Sequence, residues 1–341
     1  MAVTERFSAM THSNPIHRRT LLKGAAGLGL AAAMPILSTA ADDLPPGPAA
    51  RYMDSIWQRP RSGGDFTVRN RYGLQDNNVE AFVVSHRSDT LTITGLMCLP
   101  VGQGNGPWPA LLINHGHFAF NAYDTGYDTL REDLFFAANG YVTIATDYRN
   151  YAGSDKGEYQ LEPGYTYDVR NLLDAIRFVA PVDARRVGMM GHSMGGGITQ
   201  QVLVTTQGQI KAATLYGSVS GDEVDNYVAR HTRWATPGSS GEGDKVTDQF
   251  GPPDQIAEAY RRMSPINYLD RVDCPVAIHH SVADPICPIA WAEKLRDAFT
   301  AKGKTLEYHT YQGQPHSFQG AGFQEYVQSN LVFFDKYVKN A

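Results

Sequence analysis

The run Gly191-His192-Ser193-Met194-Gly195 is where residue type and spacing first suggest chemistry. It follows the apolar stretch Arg186 to Met190 and precedes Gly196-Gly197-Ile198-Thr199, which can open a helix. A serine at a tight strand-to-helix turn is held in a strained backbone conformation with its hydroxyl projecting. Glycines two residues to either side are required, because a side chain there would strike the neighbouring strand or helix. Ser193 therefore reads as a nucleophile. A serine hydroxyl is weak alone, so a base must take its proton and a carboxylate must hold that base in the right tautomer. In the chain order that accompanies such an elbow, the acid and then the histidine follow the serine. Asp284, in Ser281-Val282-Ala283-Asp284-Pro285, and His316, in Gln314-Pro315-His316-Ser317, meet that order, with room for one helix and one strand between them. Asp222, after the preceding strand, is the rival acid.

Acyl transfer also needs donors for the oxyanion of a tetrahedral intermediate. The backbone N–H of Met194, directly after the nucleophile, supplies one; the loop Asn114-His115-Gly116-His117-Phe118 supplies the other, through the N–H of His117. His115 and His117 are of metal-ligating type, but their i, i+2 spacing and the lack of a nearby carboxylate pattern argue against a metal site. No metal or cofactor is expected. Among nearby aromatics, Phe118, Tyr151 and Trp234 are the preferred pocket residues, with Phe120, Tyr123 and Phe318 as further candidates for pocket or core.

These loops must be held by strands. Val79 to His86 and Leu91 to Leu99 alternate around Arg87-Ser88-Asp89, as in an antiparallel hairpin. Short unbroken apolar runs then alternate with helical stretches: Ala110 to Asn114, Tyr141 to Thr146, Val187 to Met190, Ala212 to Leu215, Val276 to His279 and Leu306 to Tyr311. That rhythm predicts an α/β domain of about eight strands, mostly parallel and covered by helices on both faces. Helices are predicted over 290–301 and 322–339. The interval between Ser218 and Pro275 is longer than a plain crossover needs, so residues 221–263 read as a small cap insertion containing the Gly- and Ser-rich stretch Pro237 to Gly243. The resulting organisation is 1–41 signal peptide, 42–78 a lead-in over the surface, and 79–341 the catalytic domain.

Composition excludes other classes. The net charge of -5 and the absence of a Lys/Arg block beyond the first residues exclude nucleic acid as the main partner. Three scattered cysteines, Cys98, Cys274 and Cys287, make neither a disulfide framework nor a zinc site and read as packing residues or free thiols, with one bridge left open. His17-Arg18-Arg19-Thr20-Leu21-Leu22-Lys23, a Gly- and Ala-rich apolar run from Gly24 to Leu37, and Ser38-Thr39-Ala40-Ala41 read as a signal peptide. The paired arginines resemble the twin-arginine export signal, which implies a periplasmic or secreted protein. The apolar run is too short to cross a hydrocarbon layer of roughly 30 Å, and no membrane span is expected in the mature chain.

Ala110 to Gly116, Thr146 to Ser154, Gly191 to Gly197, Ser264 to Tyr268 and the loops of Asp284 and His316 together resemble the catalytic domain of prolyl-oligopeptidase-like and dienelactone-hydrolase-like proteins of the α/β-hydrolase fold, from Val79 to Val338. The resemblance implies a hydrolase acting through an acyl-enzyme and leaves the substrate open. Peptidases of this family usually carry a long β-propeller before the catalytic domain, where this sequence has a short lead-in. A dienelactone hydrolase would have cysteine where Ser193 stands, and Ser281 replaces the glycine common in the acid loop. The expected substrate is therefore a small-molecule carboxylic ester. The alternative is an exported aminopeptidase or amidase with Glu158, Glu162 or Asp222 as amine anchor. A binding protein on a degenerate scaffold is argued against by the intact nucleophile, base, acid and oxyanion loops.

Overall fold

Apolar β-branched runs separated by amphipathic stretches fold as a single mixed sheet. A computed structural model describes residues 49–73, 78–158, 163–234 and 251–340. The expected signal peptide, the start of the lead-in, Glu162 and the Pro237 to Gly243 stretch lie outside them. The strands are β1 (Gly64–Arg71), β2 (Val79–Ser88), β3 (Leu91–Pro100), β4 (Trp108–Asn114), β5 (Val142–Thr146), β6 (Val182–His192), β7 (Ala212–Tyr216), β8 (Val276–Ser281) and β9 (Leu306–Tyr311). They lie in the order β1-β2-β3-β5-β4-β6-β7-β8-β9. The first three pairings are antiparallel and the other five are parallel.

This order positions the site. The chain leaves β4 toward β5 on one side and returns to β6 on the other, so the loops after β4 and β6 diverge from neighbouring strand ends. Such a switch point opens a crevice beyond the carboxyl ends of the strands. Asn114 at the end of β4 is in register with Gly191, where the predicted elbow begins. On one face, α2 (Leu130–Ala138) and α8 (Gly320–Phe334) bury Phe136, Phe323, Tyr326, Phe333 and Phe334 against Leu111, Ile113, Ala145 and Met190. On the other face lie α3 (Gly164–Ala175), every residue of which is buried, and α4 (Met194–Thr205).

One strand was not expected. The lead-in contributes β1, an edge strand antiparallel to β2 with register shifts between Gly64 and Thr67 and between Val68 and Asn70. Only one of its edges is paired and most of its residues are partly or fully exposed, so Asp65, Arg69 and Arg71 blur the alternation that normally marks a strand, as charge on an edge strand commonly does. The lead-in also does more than cross the surface. Helix α1 (Met53–Gln58) buries Met53 and Ile56, the Tyr167 hydroxyl donates to Ala50 O at 3.1 Å, and the Arg170 guanidinium donates to the Ile56 carbonyl. All three cysteines are buried.

Between β7 and β8 lie α5 (Glu223–His231) and α6 (Ala257–Met263); α7 (Ile289–Ala301) follows β8. Tyr52, Ala259, Tyr260 and Met263 share an apolar cluster, with the Arg262 guanidinium 4.1 Å from the centre of the Tyr52 ring. Beneath it Glu223 is buried against Arg51 at 3.1 Å and against Arg230. Burial pushes the Glu223 carboxyl up, but the two guanidiniums outweigh it and hold the group below its ordinary value. Glu223→Ala would remove the carboxylate held between Arg51 and Arg230, and is expected to cost about 3 kcal/mol of stability, read as a lowered melting temperature. Because the native value lies below the unfolded one, this contribution is full above the ordinary glutamate value of 4.5 and is lost as pH falls through the depressed native value. The difference in melting temperature between wild type and variant should therefore shrink on acidification.

Candidate active site

Ser193 sits at the junction of β6 and α4 with φ 54° and ψ -118°, a conformation that L-residues rarely adopt. Its own N–H donates to Tyr216 O at 2.9 Å, tying the turn to β7. The flanking glycines are needed for close approach. A Cβ on Gly191 would lie 2.2 Å from Gly195 O, and one on Gly195 would lie 2.1 Å from Asn114 O. Met194 opens α4, so its N–H belongs to the first helical turn, which has no intrahelical acceptor.

The next two loops bring the predicted base and acid together. His316 Nδ1 donates to Asp284 Oδ2 at 2.7 Å. Asp284 Oδ1 accepts the N–H groups of Ile286 at 2.8 Å and Cys287 at 2.9 Å. Burial alone would raise the Asp284 carboxyl, but the hydrogen bond and charge of His316 and the two amides hold it below the ordinary aspartate value. It stays an acceptor, as a group that fixes the imidazole tautomer must. The His316 ring packs 4.8 Å from that of His192, the residue before the nucleophile. Asp222, the rival acid, is engaged elsewhere: it caps α5 by accepting from Val224 N and pairs with Lys294 at 2.6 Å.

Several supports were invisible in the sequence. The Ser281 hydroxyl, at the position where the resembling family commonly has glycine, donates to Gln314 O and so joins the acid loop to the histidine loop. The Cys287 thiol lies within hydrogen-bonding reach of Ser193, and burial raises its pKa. The Arg233 guanidinium donates to Pro285 O and the Trp234 indole N–H to Ile286 O, each at 3.1 Å. Trp234, expected in the pocket, thus braces the acid loop, with its ring edge-on to Trp291 at 5.7 Å. Phe318 is wholly buried, its N–H donating to the Tyr216 hydroxyl.

The loop after β4 is built on a second set of contacts. His115 is buried and stacked between Tyr123 and Tyr148, 4.3 Å from each ring. Burial lowers its pKa to about 4, so the ring is neutral. Its nitrogens lie 2.7 Å from Gly116 O and 3.2 Å from Asp147 O; the single N–H of the neutral ring donates to one of these carbonyls, and the stacked ring is a pillar for the loop. Burial raises the Asp147 carboxyl to about 6 against the hydroxyls of Thr94, Thr125 and Tyr123, which all donate to it. The backbone at Gly116 runs so near the nucleophile that a Cβ there would be 3.3 Å from Ser193 Cβ. His117, next in the chain, is exposed. Tyr151, expected to line the pocket, is instead fully buried, and its hydroxyl donates to Phe118 O at 2.9 Å. The aromatic surface is formed by half-buried Phe118 and Phe120 and by Tyr127, which is 64% exposed and edge-on to Phe118 at 5.2 Å. Tyr127 carried no sequence signal, because a single tyrosine in a loop has no periodicity.

A serine held at positive φ at the switch point of such a sheet, next in the chain to a histidine that packs on an imidazole held by a buried carboxylate, marks a serine hydrolase with the α/β-hydrolase fold. The chain belongs to the prolyl oligopeptidase family, whose model matches residues 129–341. It is 26% identical over 248 residues to an uncharacterized peptidase, YuxL, of Bacillus subtilis, covering 69% of this chain and 35% of that protein. It is 28% identical over 198 residues to bis(hydroxyethyl) terephthalate hydrolase of Streptomyces coelicolor, covering 55% of this chain and 58% of that protein. The chain therefore spans between a third and about three-fifths of the length of these two relatives. Among solved structures, acylaminoacyl peptidase of Pyrococcus horikoshii superposes with a TM-score of 0.62 at 20% identity, covering 77% of this chain and 42% of that one. Acetyl xylan esterase from Paenibacillus sp. R4 superposes at 0.59 with 20% identity, covering 84% and 92%.

Asp284→Asn would replace an acceptor facing His316 Nδ1 by an amide and favour the wrong imidazole tautomer. The expected outcome is a fall in kcat of about 10⁴-fold on an activated acyl substrate with the fold retained, checked by steady-state kinetics beside circular dichroism.

Proposed function

We propose that this protein is an exported serine hydrolase that cleaves carboxylic esters through an acyl-enzyme. The observation that carries the chemistry is the 2.7 Å contact of His316 with Asp284 in the loops that flank the strained Ser193. Ser193 Oγ attacks the ester carbonyl while His316 Nε2 takes its proton, and Asp284 supports the imidazolium that results. The N–H groups of Met194 and His117 receive the oxyanion. As the tetrahedral intermediate collapses, His316 returns the proton to the leaving alkoxide; water then repeats the cycle on the acyl-serine.

Two observations favour ester over amine-anchored peptide. Asp222, one of the carboxylates suited to holding a substrate amine, is engaged by Lys294 and by its own helix N-terminus. The surface beside Gly116 and His117 is aromatic and uncharged at Phe118, Phe120 and Tyr127, which suits a neutral acyl or aryl group. The bis(hydroxyethyl) terephthalate hydrolase and acetyl xylan esterase relatives fit this reading. The second reading, an acyl-peptide or aminoacyl hydrolase, draws on the likeness to YuxL and acylaminoacyl peptidase.

A panel of nitrophenyl esters of graded acyl length together with one amino-acyl anilide tests both. Ester kcat/KM should exceed anilide kcat/KM by orders of magnitude and vanish in Ser193→Ala. Anilide turnover alone would establish the second reading, and equal activity of wild type and Ser193→Ala would end both. Export rests on Arg18-Arg19 and the Gly- and Ala-rich run that follows. Changing Arg18→Lys and Arg19→Lys together should move the enzyme from the exported to the cytoplasmic fraction of the producing cell; unchanged fractionation would overturn that route.

A further inference from the structure

The site contains a second imidazole–carboxylate pair that the mechanism does not use. Asp128 lies just before α2, with its side chain largely buried, and a single oxygen, Oδ2, accepts two donors. One is the N–H of Gly116 at 2.7 Å, in the loop after β4. The other is His192 Nδ1 at 3.0 Å, in the elbow itself. The His192 ring is stacked on Tyr216 at 4.5 Å on one side and packs against His316 at 4.8 Å on the other. The Gly116 backbone in turn runs close to Ser193, where an added Cβ would lie 3.3 Å from Ser193 Cβ. One carboxylate oxygen thus joins the two segments whose N–H groups must converge on an oxyanion.

We propose that Asp128 is a positioning residue for acyl transfer, stapling the Gly116–His117 loop to the elbow through His192 so that the His117 N–H is fixed relative to Ser193. This rests on the assignment of that N–H to the oxyanion in the proposed mechanism. A loop free to shift by about 1 Å would cost of the order of a hundredfold in rate while leaving most ground-state contacts in place, because the donor matters chiefly when negative charge develops on oxygen. Burial opposes the Asp128 charge, but His192 and the Gly116 amide more than offset this and hold the carboxyl below its ordinary value. The staple is accordingly charged on the Asp128 side.

The test compares Asp128→Ala, Asp128→Asn and His192→Phe on a nitrophenyl ester and on an aryl boronic acid. The boronic acid adds the Ser193 oxygen to boron: the hydroxyl proton passes to His316, the Ser193–boron bond forms, and the boron becomes tetrahedral and anionic with one hydroxyl in the oxyanion position. Asp128→Ala should lower kcat by about ten- to hundredfold, with KM within about threefold, and weaken boronate inhibition by the same factor as kcat. Asp128→Asn retains an oxygen able to accept both N–H groups and should recover most of that loss. His192→Phe keeps the stacking on Tyr216 but detaches the elbow end, so it should shift kcat and boronate affinity in the direction of Asp128→Ala; it decides the matter if the alanine variant does not fold. Unchanged kcat in folded Asp128→Ala or in His192→Phe would overturn the proposal, as would equal losses in kcat/KM and in the binding of a neutral substrate-like inhibitor. Full activity in Ser193→Ala would instead overturn the mechanism on which it rests.

Discussion

The close approach of the turn after β6 to the end of β4 is the constraint on which the site depends. Gly195 passes so near the Asn114 carbonyl that no Cβ fits between them, and this contact places the start of α4 and the loop after β4 around the same point. Ser193 is held at positive φ by its neighbours rather than by its own preference. The strain is supported from three sides: by β4, by the Tyr216 carbonyl on β7, and by the first turn of α4. Two adjacent parallel strands whose chains depart in opposite directions are what allow a turn and a loop to face each other there.

Around that point the protein places buried polar groups whose partners are loops rather than ligands. Asp147, Asp128 and Asp284 each accept from two or more donors and each ties at least one loop. Their environments differ in effect. Asp147 meets only hydroxyls and burial dominates, so its carboxyl is raised to about 6. Asp128 and Asp284 meet an imidazole and backbone amides, and both are held below the ordinary value. Carboxylates serve here as cross-links because one oxygen can accept several N–H groups at once.

The helical segment between β7 and β8 is joined to the same machinery. Its stem, Arg233 and Trp234, grips the carbonyls of Pro285 and Ile286, while the amides of Ile286 and Cys287 grip Asp284. Its base is held by Glu223 between Arg51 and Arg230. Substitutions near Arg51, far along the chain from Ser193, are thus mechanically connected to the acid loop through α5.

From sequence by itself, the parallel strands and the candidate reactive residues could be read because both follow local rules. A strand buried on both faces must be largely apolar, as Ala110 to Ile113 and Ala212 to Leu215 are, and an elbow must carry glycines at fixed offsets from its serine. Strand β1 escaped because an edge strand need satisfy only one neighbour. The roles of Asp128, His192, Ser281 and Trp234 were decided by tertiary structure alone: each acts by meeting a group distant in the chain, and a single polar or aromatic residue has no spacing that could announce its partner. Tyr151 and Trp234 were expected in the pocket as aromatics near the elbow and the cap; Tyr151 is buried beneath the loop after β4, and the Trp234 indole N–H meets a carbonyl of the acid turn. Reactive residue types are written locally, whereas the contacts that hold them to within an ångström arise only when the sheet brings its loops to one edge.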